Sequence, residues 1–132
     1  MEAEASFINV QPDYPWGLKR AFFSYEMSNL GVPLGPTGLY MNGIRGGLAF
    51  GPPDELPHDV QPYFDKGTRI QVGVSLIDSG GGNAIDADVD VWIDITNWEV
   101  ALKGDAIIAS GMVNAELLAA ITDEVLYGSV RV

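Results

Sequence analysis

The stretch from Ile85 to Thr96 alternates without a break. Ile85, Ala87, Val89, Val91, Ile93 and Ile95 occupy the odd positions, and Asp86, Asp88, Asp90, Trp92, Asp94 and Thr96 the even ones. A period of two is the period of a β-strand, which sends successive side chains to opposite faces of a sheet. A helix advances about 100° per residue and would scatter the aspartates around its surface. This strand therefore has one apolar face, expected to be buried, and one acidic face, expected in solvent, and the rest of the chain has to be built around it.

A second alternating strand precedes it. Ile70, Val72, Val74 and Leu76 share one face, and Arg69, Gln71, Gly73 and Ser75 the other. Ser79-Gly80-Gly81-Gly82-Asn83 is suited to positive φ and joins the two strands as a hairpin. Matching the apolar faces leaves two registers, with Arg69 opposite Trp92 or opposite Asp94; either sets a cation on the acidic face. Further strands are expected over Phe7–Val10, Leu18–Asn29 and Val125–Val132. In the second of these, Ala21, Phe23, Tyr25 and Met27 lie on one face. Pro15 and Trp16 are expected to cap one end of the core. Trp98–Leu102 and Ala106–Val113 suggest a second hairpin about the turn Lys103-Gly104-Asp105. Asn114 as a cap, Glu116 in the first turn, and Leu117, Leu118 and Ile121 as an apolar stripe predict one short helix over 114–122.

Residues 31–67 hold eight glycines and six prolines. Short strands at 38–42 and 47–50 are expected around a turn at Asn42-Gly43-Ile44-Arg45-Gly46. The remainder reads as an ordered, extended arm, stiffened by proline and packed on this subunit or on a neighbour. Its aromatics Tyr40, Phe50, Tyr63 and Phe64, together with Trp92 on the acidic strand, are the candidate interface residues. The expected architecture for residues 1–132 is a single mainly β domain: an antiparallel β-sandwich or jelly-roll-like barrel with one short helix.

The run Gln71–Val91, with its β-branched strand, Asp/Gly/Asn turn and second β-branched strand, resembles a hairpin of bacterial immunoglobulin-like β-sandwich modules. The resemblance covers about 21 of 132 residues. It implies a structural or adhesive spacer rather than an enzyme.

Composition narrows the chemistry. There is no cysteine, which excludes disulfides, thiol nucleophiles and Cys-type metal centres. The net charge of −11 repels phosphate backbones and anionic lipids, so neither nucleic acid nor membrane is expected as a partner. No apolar run approaches the roughly 20 residues of a membrane span. Met1–Ala5 is acidic and unlike a signal peptide, which favours a cytoplasmic or virion location.

Asp86, Asp88 and Asp90 are weak candidates for a metal, because carboxylates on a flat strand splay apart whereas calcium needs converging oxygens. The reading preferred for that row is a solvated or arginine-neutralised face. Trp92 interrupts the polar face and calls for cover, or offers a platform for a sugar. His58 is the only histidine and lies near Asp54, Glu55 and Asp59 on a proline-flanked loop. No GxSxG and no phosphate-binding loop occurs. These features favour a non-catalytic structural or assembly protein without a cofactor. It would be an oligomeric, virion-type subunit (phage head, tail or fibre) that binds itself and other structural proteins. The alternatives are a carbohydrate-binding or calcium-dependent ligand module, and a small enzyme using loop carboxylates and His58.

Overall fold

A computed structural model describes residues 2–8, 17–27, 31–80, 84–109 and 111–132, with side chains from Arg20 onward. The strands are β1 (Glu2–Ile8), β2 (Gly17–Glu26), β3 (Val32–Pro33), β4 (Leu39–Gly51), β5 (Gly67–Asp78), β6 (Ile85–Asp94), β7 (Glu99–Ile108), β8 (Val113–Ile121) and β9 (Leu126–Arg131). All belong to one antiparallel sheet in the order β1-β2-β4-β5-β6-β7-β8-β9, with β3 paired to β4. Neighbours in sequence are neighbours in space, so the sheet is a meander, and it does not close into a barrel. Among the described residues no helix is long and apolar enough to cross a membrane. The proposed cap formed by Pro15 and Trp16, and turn positions 81–83, lie outside the described residues.

The central hairpin takes one of the two expected registers, with Arg69 opposite Asp94, Gln71 opposite Trp92 and Gly73 opposite Asp90. Asp78 fastens its loop end: Gly80 N donates to Oδ2 at 2.9 Å, and Ala84 N and Ile85 N donate to Oδ1 at 3.1 and 3.2 Å.

Three local expectations are corrected. Residues 113–121 form β8 and not a helix, paired along its length with β7 and for much of it with β9. Two ladders of backbone hydrogen bonds outweigh the weak helical preference of so short a segment. Asn42–Gly46 is not a turn: β4 runs straight through it, with one bulge at Asn42. Gly46 is there for close approach, since a Cβ would lie 2.5 Å from Cε1 of Phe23, whose ring covers it. Lys103-Gly104-Asp105 is likewise the middle of β7; the chain turns beyond it, where Met112 N donates to Ala109 O at 3.2 Å. Lys103 and Asp105 project from the same face, and Nζ lies 3.5 Å from Oδ2.

The remainder of the Gly/Pro-rich segment folds back on its own sheet. Residues 52–66 pass through consecutive tight turns (Leu56 N to Pro53 O, 3.3 Å; Val60 N to Pro57 O, 3.1 Å) and a 3-10 turn at Gln61–Tyr63. Gln61 Nε2 ties the loop internally by donating to Leu56 O at 2.9 Å. Leu56, Val60 and Phe64 then pack on Trp92, Ala101, Leu118 and Ala120 to form the hydrophobic core. That core sits on the face that carries the aspartates.

Candidate functional site

The cross-strand registers assign every side chain from β2 to β9 to one of two faces. On the first, Arg45, Gly73, Asp90 and Lys103 form one row across the sheet, and Ala49, Arg69, Asp94 and Glu99 another. Arg45 and Arg69 pair with carboxylates on this polar face. Arg45 reaches over Gly73 to Asp90 (Nε to Oδ1, 3.0 Å; Nη2 to Oδ2, 3.3 Å). Its Nη1 donates to Ser75 Oγ at 2.6 Å and lies 3.4 Å from Asp88 Oδ1. Ser75 Oγ also donates to Asp88. Gly73 leaves the space this requires, because a Cβ there would sit 2.1 Å from Asp90 Oδ1. Arg45 thus pairs with Asp90 and reaches Asp88, offsetting one of the two charges, while Asp86 is exposed. Among the described residues no three His, Cys, Asp or Glu side chains gather to hold a metal ion.

At the loop end of the same face Arg69 is 1 % exposed. Its guanidinium forks onto both carboxylate oxygens of Glu55 and donates to Gly51 O (3.0 Å) and Pro52 O (2.8 Å). The cation is therefore spent on anchoring the loop rather than on the aspartate row. Asp94 is fully buried and accepts from Thr96 N and Asn97 N, both at 2.9 Å, closing the β6–β7 turn. Glu99, opposite Asp94, is buried with Oε2 unpartnered. Burial pushes its carboxyl above the usual carboxylate range, with Asp94, Asp123, Asp65 and Glu124 adding repulsion in that order.

The constellation around His58 is not assembled. Glu55 is taken by Arg69, Asp59 lies 3.5 Å from Arg131 on β9, and His58 is exposed. The proposed interface residues divide. Trp92 and Phe64 are in the subunit's own core; Tyr63 packs against it, 5.5 Å from the ring of Tyr127. Tyr40 and Phe50 are half-buried on β4.

The second face is apolar across seven strands. Phe23, Gly46, Val72, Val91, Leu102, Ala119 and Gly128 form its middle row. Ala21, Leu48, Ile70, Ile93, Val100, Ile121 and Leu126 form the next, and no charged side chain enters either row. Among the described residues nothing covers this face: Val72 is 53 % exposed, Ile121 55 % and Leu126 82 %. An open groove of about 850 Å³ runs over β2, β4 and β5 between Phe23, Ile44, Leu48 and Val74. Alternation made the two faces legible in the sequence, but the apolar face was expected to be the buried one. Its exposure follows from the loop choosing the opposite side, where Trp92, Ala101, Leu118 and Ala120 offer an apolar patch and Arg69 an anchor. Trp98 was also missed as a surface residue: it is 79 % exposed at a φ of 55° in the β6–β7 turn. Comparison with family models, with curated proteins and with solved structures finds no match to this chain.

Proposed function

We propose that this chain is a non-catalytic assembly subunit that works by protein–protein contact, with the uncovered apolar sheet face as its contact surface. The observation that carries this reading is that face itself. Soluble monomers rarely expose contiguous apolar patches beyond a few hundred Å², and larger ones mark interaction surfaces. An antiparallel sheet with an apolar face needs a second layer. The β-sandwich expected from the alternation is then completed by a sheet from another molecule, not within one chain. The polar face fits this role, since Arg45 and Arg69 are already engaged there with Asp88, Asp90 and the loop's Glu55.

Solution mass by light scattering over a range of concentrations tests the reading. The expected result is a defined species heavier than the 14.2 kDa chain. Val72→Lys, which places a charge on the open face, is expected to return it to single-chain mass with an unchanged far-ultraviolet spectrum. A single-chain mass at every concentration, unaffected by the substitution, overturns the proposal.

A further inference from the structure

We infer that the layer covering the apolar face is a second copy of this chain, packed face to face about a two-fold axis that runs parallel to β6. The inference rests on reading that face as an assembly surface, and adds the partner and its register.

Size comes first. Between β2 and β9 the face spans seven strands. At about 4.8 Å between strands, and about nine residues of about 3.3 Å each, it measures about 1,000 Å². A standard stable interface needs about 800 Å² from each partner. A single acyl chain or small ligand would leave most of the face wet, whereas a second sheet of the same dimensions covers it. Charge agrees. The chain carries −11, yet the two central rows of this face hold none of it, so two copies meet there without burying like charges and keep their acidic faces outward.

The distribution of bulk selects the register. Strand β6 is flanked by β5, β4 and β2 on one side and by β7, β8 and β9 on the other. A two-fold parallel to β6 sets β5 over the partner's β7, β4 over its β8 and β2 over its β9, and keeps every cross-strand row facing itself. Positions equidistant from β6 in one row then oppose each other. At the two edges they are complementary in size, Phe23 with Gly128 and Ala21 with Leu126, and beside β6 Val74 meets Gly104 and Leu76 meets Ala106; between these, Leu48 meets Ile121 and Ile70 meets Val100 as large against large. Large opposite small is the arrangement that lets two packed layers interdigitate. A two-fold across the strands would instead set Phe23 against Phe23 and Gly128 against Gly128, a clash at one edge and a void at the other.

The absence of cysteine makes single-cysteine probes clean. Three variants, Val91→Cys, Ala21→Cys and Leu126→Cys, are treated with a short bismaleimide. Packed sheets lie about 10 Å apart, while β2 and β9 of one copy are about 30 Å apart. The expected result is that V91C alone shifts from monomer to dimer on a denaturing gel. A21C and L126C are each expected to stay monomeric alone and to shift when mixed. Self-linking of A21C, or a failure of the mixture to link, overturns the register. If light scattering of the intact chain still shows an oligomer, the assembly reading survives that failure; if it shows a monomer, both fall. A monomer that gains mass only with phosphatidylcholine vesicles or with a different protein also overturns the second copy as partner.

Discussion

Arg69 and Glu55 show how a single ion pair can decide which side of a sheet is covered. Both side chains are almost fully buried, and the guanidinium also holds the carbonyls of Gly51 and Pro52. Removing one partner leaves the other charge buried and unpaired. Glu55→Gln is therefore expected to cost about 3–5 kcal/mol, read by urea denaturation. A loss below about 1 kcal/mol, the range of solvent-exposed pairs, would mean that the anchor is not needed. Glu99 titrates in the opposite sense from a salt-bridged acid. Its carboxyl is held above the ordinary range by burial and by the neighbouring carboxylates, so the folded chain keeps this proton where the unfolded chain loses it. Its contribution to stability is complete below the ordinary carboxylate pKa and is lost as pH rises toward the raised value. Denaturation midpoints at pH 5 and pH 8 test this: Glu99→Gln is expected to gain more at pH 8 than at pH 5. An equal effect at the two pH values would show that Glu99 is not protonated in the fold.

Strands that alternate could be read from sequence, and those that do not could not. Strands β5 and β6 sort their residues by a period of two and were assigned with one of two registers. Residues 114–122 read as a helix because Leu117, Leu118 and Ile121 also suit a helical stripe, and only pairing with β7 and β9 decides between the two periods. Glycines misled in β4 because a glycine required for close approach looks the same as one required for a turn; Gly104 in β7 is required for neither, since a Cβ there would meet only Leu117 Cβ at 3.8 Å. Gly73 gives a direct check. Gly73→Ala places a methyl group at 2.1 Å from Asp90 Oδ1 and about 3 Å from the Arg45 guanidinium, so the pair must separate. The expected cost is about 1–3 kcal/mol; an unchanged denaturation midpoint would contradict the packing. The loop over 52–66 was legible as ordered but not in its direction. It stays on its own sheet, with Val60 fully buried. Deleting residues 51–62 is therefore expected to strip Trp92 of its cover and unfold the chain, seen as a red shift in tryptophan emission. A folded, soluble deletion variant would show that the loop is not part of the core.

At the scale of the whole molecule, the charge lies on the side of the sheet that the loop and core occupy, and the exposed apolar area on the other. A chain of net charge −11 that exposes an apolar face across seven strands faces two opposed forces when it meets a copy of itself. Burial of the apolar faces favours association in proportion to area. Repulsion between the acidic faces opposes it, acts across the thickness of both layers, and is screened over about 10 Å at 0.1 M salt. No charged residue lies in the central rows of the contact surface, so added salt breaks no ion pair there. The proposed dimer should therefore tighten as sodium chloride rises from low to moderate concentration, the reverse of an interface held by salt bridges. Sedimentation equilibrium at two salt concentrations reads this as a lower dissociation constant at the higher one. Weakening with salt would place charged contacts at the interface and move it from the apolar face to the edges of the polar one, where Arg131 and Asp59 meet in the open at 3.5 Å.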